Sequence, residues 1–262
     1  MRLAFTFLAT PFFLASLNLF ALSESDCGLY QGSSVKFNEM DVAFGLKDTP
    51  GYLEFLIATD FQLGRNGKEK NLGKAIEIYA RSAALGYLPA DYALGIINYV
   101  HIGNPAGYIK AAELFSRLDK RNYDPATYML ALMYLRGAGV PKDREQAISL
   151  LRKAARSGYV NAQLRLAEEL DQPEVLTDTV KLEAFCWFSA AANTEAQAQY
   201  KVGLFLEKRS GASTNSDVPL RWYCTALANG NNSALELLSA RHGIRENINT
   251  LCKFGAQVVP KK

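Results

Sequence analysis

Three sets of residues in this chain have the types and spacing to do chemistry. RGAGVPKDREQAISLLRKAARSGYVNA, residues 136–162, opens on a glycine-x-glycine loop at Gly137 and Gly139 and runs into a helix with basic residues, the composition of a phosphate cradle. Ser33-Ser34-Val35-Lys36 has the Ser-x-x-Lys spacing in which penicillin-recognising enzymes place a nucleophilic serine. Cys27, Cys186, Cys224 and Cys252, with His101 and His242, are the soft ligands and thiol–imidazole candidates.

None of the three carries its chemistry through. A phosphate loop needs Gly-Lys-Ser/Thr after a strand, and no strand pattern precedes Gly137. The Ser-x-x-Lys pattern needs a helix and partner motifs; no Lys-Thr-Gly occurs in the chain, so it reads as a chance match. No two cysteines stand at close ligand spacing and both histidines are isolated, which argues against zinc. No catalytic residue, metal ligand or cofactor is therefore expected.

The elements that position these residues begin with an export signal. Arg2 is followed by an apolar run from Leu3 to Leu22, with small residues at Ala21 and Ser23, which reads as a secretory signal peptide over residues 1–23, cleaved near Ser23. The rival reading is an uncleaved anchor, since about 20 apolar residues can span a bilayer. Pro11 and the Ala-Leu-Ser ending favour cleavage, with no stable membrane insertion afterwards and a periplasmic location. In an oxidising compartment an even number of cysteines implies two disulfides; three connectivities are open, with Cys224–Cys252 preferred because it would pin the C-terminal tail to the last repeat. Loss of Arg2 reduces 29 basic residues to 28 against 26 acidic, a near balance that argues against a nucleic-acid partner.

A period then organises the rest. Ala90, Ala126, Ala162, Ala198 and Ala234 recur every 36 residues, each opening a comparable segment. Four residues on stand Leu94, Leu130, Leu166 and Val202; five on stand Gly95, Ala131, Ala167 and Gly203, small enough for close helix approach. A second helix follows in each unit: residues 75–86, 111–120, 147–158, 184–192 and 219–230. Ala147, Leu151, Ala154 and Ala155 form an apolar stripe at helical period, with Arg152, Lys153 and Arg156 opposite. Gly86, Asn122, Gly158 and Gly230 suit the left-handed position past a helix C-terminus. Gly137 and Gly139 consequently sit in the turn between the two helices of one unit. Trp187 and Trp222 occupy equivalent positions of second helices and are expected in the core.

The segment ATYMLALMYLRGAGVPKDREQAISLLRKAARSGYVNAQ (126–163), with AQYKVGLFLEKRSG (198–211) and CWFSAAA (186–192), resembles the Sel-one-like repeat family, a branch of the tetratricopeptide-like solenoids. The second unit departs from the pattern with HIGNPAGY (101–108) in place of the glycine pair. The fourth departs with the acidic insertion EELDQPEVLTDTVKLE and with Asn193-Thr194 at its end. The resemblance implies an all-α, right-handed solenoid of stacked antiparallel helix pairs: about five 36-residue repeats over residues 54–234, an N-terminal cap over 24–53, and a capping helix and tail over 235–262. A single helix pair cannot bury its apolar face, so each unit completes the core of the next.

In the first helix of each unit, positions 0, 4 and 8 from the register alanine form the buried stripe; positions 3, 6 and 10 face away at about 100° per residue. These read Ala93, Ile96, Val100; Met129, Leu132, Arg136; Arg165, Glu168, Gln172; and Lys201, Leu204, Lys208. By analogy this helix lines the concave side of such solenoids, so Ile96, Met129, Leu132, Arg136, Arg165, Glu168, Lys201, Leu204 and Lys208 are the candidate partner-binding residues. Apolar anchors beside charges make a protein-binding groove; the alternative is that Ile96 and Leu132 pack between units. The resemblance implies a non-enzymatic periplasmic protein-binding module. Its sharpest form is an immunity protein neutralising a toxin of type VI secretion. An envelope adaptor or signalling regulator is the alternative, and a peptidoglycan or beta-lactam hydrolase the minor one.

Overall fold

The structure, a computed structural model, describes residues 49–102, 104–172, 177–210 and 217–242, together with Cys27 and Cys252. The signal segment 1–23, Ser33 to Lys36, nearly all of the expected N-terminal cap and most of the expected tail lie outside the described residues.

Eleven α-helices and no strand are found among the described residues. They fall into five antiparallel pairs: α1 (Tyr52–Leu63) with α2 (Leu72–Ala84), α3 (Leu88–Ile97) with α4 (Pro105–Asp119), α5 (Asp124–Arg136) with α6 (Arg144–Arg156), α7 (Val160–Leu170) with α8 (Asp178–Ala191), and α9 (Ala196–Ser210) with α10 (Asp217–Ala228). A final helix, α11 (Asn232–His242), closes the array. From the second unit on, the first helices begin at residues 88, 124, 160 and 196, and α11 at 232, two residues ahead of each register alanine. Helices pack on their chain neighbours throughout, so the core forms by stacking.

Local chemistry sets the boundaries. Asn71, Asn104 and Asp143 cap α2, α4 and α6 by accepting from the backbone N–H three residues on. Gly86, Asn122, Gly158 and Gly230 all take positive φ, as read from the sequence, and turn the chain into the next unit. The fourth unit has no such residue: α8 ends at Ala191, and the N–H of the following Ala192 donates to the Phe188 carbonyl in ordinary helical geometry. In the second unit, which lacks the glycine pair, a π-helical segment Asn98–Ile102 carries α3 toward the cap of α4. The capping helix expected from residue 235 begins earlier, at Asn232, because the Asn231 side chain accepts from the Ala234 N–H.

The close approaches follow the small residues at position 5. A Cβ on Gly95 would stand 2.4 Å from the Phe115 ring, and one on Gly203 2.6 Å from the Tyr223 ring. Ala131 and Ala167 are fully buried at the same position. Around them one continuous core runs from α4 to α9, including Phe115, Leu130, Leu151, Leu166, Trp187 and Phe188. Smaller clusters lie at either end, around Tyr79 and around Tyr223. Trp187 is core, as expected; Trp222 is only partly buried, packed on the outside of the same cluster.

All four cysteines are paired. Cys224–Cys252 is the pairing preferred from the sequence, and Cys27–Cys186 joins residues 159 apart. No helix among the described residues is long and apolar enough to cross a membrane.

Candidate functional site

Gly137 and Gly139 lie in the turn between α5 and α6, with φ of 71° and 73°. The Gly137 N–H closes α5 by donating to the Met133 carbonyl. Gly139 packs against the α4 backbone at Tyr108, so closely that a Cβ would stand 2.3 Å from its carbonyl carbon and oxygen. The glycine pair therefore serves stacking: one residue reverses the chain and the other lets the turn touch the preceding unit.

Beside this turn, α5 and α7 enclose a groove of about 410 Å³. Leu132, Leu135, Leu164 and Tyr128 supply its apolar part; Arg136, Lys142, Arg144, Arg165, Glu168, Glu169 and Asn161 supply the polar part. Arg165 donates to Glu169 Oε1 at 2.5 Å and to Glu168 Oε2 at 3.4 Å along its own helix. Arg144 reaches Glu169 from α6, with Nε 3.3 Å from Oε2 and a further donation to the Glu169 carbonyl. Arg136 donates to the Tyr99 hydroxyl across the unit boundary. Lys142, in the turn, is exposed and has no ion pair among the described residues. Burial pushes the Tyr128 hydroxyl above its ordinary range, Arg165 and Arg136 pulling it back and Glu168 adding to the rise, so the group stays a neutral donor.

Of the residues singled out in sequence, this groove gathers Leu132, Arg136, Arg165 and Glu168. It does not gather the others. Ile96 and Met129 are partly buried against the main core, and Leu204 against the C-terminal cluster. Lys201 pairs with Asp171 at 3.3 Å and lies over the Phe188 ring, at 5.8 Å from its centroid. Lys208 is exposed on α9, away from the groove. Positions 3 and 6 are half-buried, and only position 10 is fully open.

Sequence reasoning missed Tyr128, Leu135, Lys142, Arg144, Asn161, Leu164 and Glu169. They stand outside the 3, 6, 10 series: Lys142 and Arg144 come from the turn and α6, and the others from further positions of α5 and α7. The basic residues flanking Asp143, directly after the glycine pair, were the available signal. Among the described residues, no group of three His, Cys, Asp or Glu could hold a metal ion.

The Sel1 repeat family model matches residues 58–87, 124–159 and 196–231. The second and fourth units, which depart in sequence, are the ones left between the matches. The chain is 40% identical over 188 residues, 71% of its length, to the DAP3-binding cell death enhancer 1 of Mus musculus, and it spans only 36% of that relative. Among solved structures, a Sel1 repeat protein from Oxalobacter formigenes superposes with a TM-score of 0.64 at 22% identity, over 82% of this chain and 92% of that one. An immunity protein of Pseudomonas aeruginosa gives a TM-score of 0.46 at 21% identity, over 80% and 81%. With three matches in the 36-residue register and the same stacked-pair architecture, this chain belongs to the Sel1 repeat family.

Proposed function

We propose that this chain is a non-enzymatic protein-binding module, exported to the periplasm, whose partner docks on the groove between α5 and α7. The observation that carries the reading is the meeting of Leu132, Arg136, Arg165 and Glu168 in one concavity with an apolar floor and a charged rim. The relative that aligns with this chain over 188 residues is itself named as DAP3-binding, which supports a binding role. Export rests on the apolar segment after Arg2 and on the pairing of all four cysteines.

The finer reading is that of an immunity protein, which neutralises a toxin of type VI secretion by occluding it. A scaffold that binds without chemistry suffices for that task. An envelope adaptor or signalling regulator would use the same surface. Reconstitution with the partner recovered from periplasmic extract tests the shared part: Leu132→Asp should weaken the complex by about tenfold or more while helicity stays unchanged. An unchanged affinity moves the contact surface off the groove. Deletion of the gene separates the finer readings, because immunity demands self-intoxication that vanishes when the toxin gene is also removed, whereas an adaptor alters envelope signalling without a toxin.

A further inference from the structure

The groove between α5 and α7 is unbalanced in charge. Arg136, Lys142, Arg144 and Arg165 face two carboxylates, Glu168 and Glu169; Glu169 is already shared by Arg144 and Arg165, and Glu168 is paired with Arg165. Arg136 spends one donor on a neutral hydroxyl, and Lys142 has no ion pair among the described residues. The Arg165 Nε–H is shut off from water and has no acceptor, so even the most engaged cation of the groove is incompletely satisfied. A guanidinium carries five donors in a fixed fork, and two carboxylates cannot absorb the donors of three such groups and an ammonium. The charge left over lies beside an apolar floor, Leu132, Leu135 and Leu164, that would bind nothing from a free inorganic anion.

We infer that this groove takes an acidic segment of a partner protein, in which a large apolar side chain is flanked by aspartate or glutamate. The apolar side chain lies on the leucine floor, and the flanking carboxylates accept from Lys142 and from the outward donors of Arg136 and Arg144. A volume of about 410 Å³ holds a few side chains of a peptide segment. Most of the groove's cations hold their positions through intramolecular bonds before the partner arrives, which lowers the ordering cost of binding. This inference rests on the protein-binding reading of the same groove and specifies the partner's chemistry.

The test is selection of displayed random dodecapeptides on the purified, disulfide-bonded protein, followed by titration of one synthetic winner. Enriched sequences should pair acidic residues with Leu, Phe or Ile. Binding should fall about threefold to tenfold with Lys142→Glu, fall further with Leu132→Asp, and weaken as salt is raised, while circular dichroism stays unchanged. Lys142 is the informative position because no ion pair of the fold depends on it. Enrichment without acidic residues, or winners indifferent to both substitutions, overturns the acidic-segment inference and leaves the protein-binding reading standing. Failure to enrich any peptide overturns it too; the protein-binding reading then falls only if reconstitution with a whole partner also fails. Displacement of the winner by inorganic phosphate at millimolar concentration would show a plain anion site and likewise overturn it.

Discussion

Gly139 lies against the Tyr108 backbone, with the place of a Cβ only 2.3 Å from the Tyr108 carbonyl carbon. Two constraints meet at this residue. It takes φ of 73°, which L side chains seldom adopt, and its neighbour is helix backbone that cannot swing aside.

Gly139→Ala should therefore cost more than about 2 kcal/mol, because the strain of the left-handed region adds to a clash between two units. Gly86→Ala is the matched control: φ is 93° but nothing lies within 4 Å of its Cβ, so only the backbone cost of about 1 kcal/mol should appear. Urea denaturation of the two variants measures the difference. Equal losses would mean that the α4 backbone yields.

Trp187→Ala should destabilise by about 3–5 kcal/mol, since the side chain is 1% exposed in the middle of the main core. Its indole N–H also points at Glu183 Oε1, 3.4 Å away, and that carboxylate holds Arg152 in a bidentate pair at 2.8 and 2.9 Å. Trp222→Ala should cost clearly less, because Trp222 packs on the core from outside. Denaturation midpoints in the reverse order would place the centre of the stack one unit later.

Non-reducing peptide mapping of exported protein should recover Cys27–Cys186 and Cys224–Cys252 and no free thiol. In the chain-entropy picture, closing a 28-residue loop stabilises by about 3.6 kcal/mol and closing the 159-residue loop by about 5 kcal/mol, so Cys27→Ser should lower the melting temperature more than Cys252→Ser. Four free thiols would remove a main support for the proposed export.

Asp124 supplies the pH dependence. Burial pushes its carboxyl above the ordinary value of 3.8, against the hydrogen bond from Ser157 and the charge of Lys153, while Asp119 adds to the rise. A raised native pKa means that the folded state holds the proton longer than the unfolded chain. This contribution to stability is thus present at low pH and is lost as pH rises from 3.8 through the folded value. Relative to Asp124→Asn, the unsubstituted protein should lose stability as pH rises above about 4. A gap between the two that stays constant above that pH would show the ionised carboxylate to be fully accommodated.

Much of the architecture was legible in the linear chain because repeat proteins are built from local rules. The recurrence of Ala90, Ala126, Ala162, Ala198 and Ala234 located every later first helix to within two residues. Gly86, Asn122, Gly158 and Gly230 announced the left-handed exits, and the small residues at Gly95 and Gly203 announced where rings from the second helix press in. Each of these depends on a turn or two of backbone, or on a neighbour one helix away.

The candidate site was legible only in part. Leu132, Arg136, Arg165 and Glu168 line the groove, but Ile96, Met129 and Leu204 at the same positions are partly buried against the core clusters. A helical wheel describes one helix, whereas availability depends on the angle at which the next helix closes over it. Lys142 and Arg144 reach the groove from a turn and a second helix.

What the sequence determined by itself is the 36-residue period, the helix ends and the disposition of apolar stripes, all of which follow from propensity, capping and spacing along the chain. What the tertiary structure alone decided is which cations converge on Glu169, which apolar positions remain open, and that Cys27 meets Cys186 across 159 residues. The physical reason is that small rotations between successive units add along the stack, and no local interaction sets their sum.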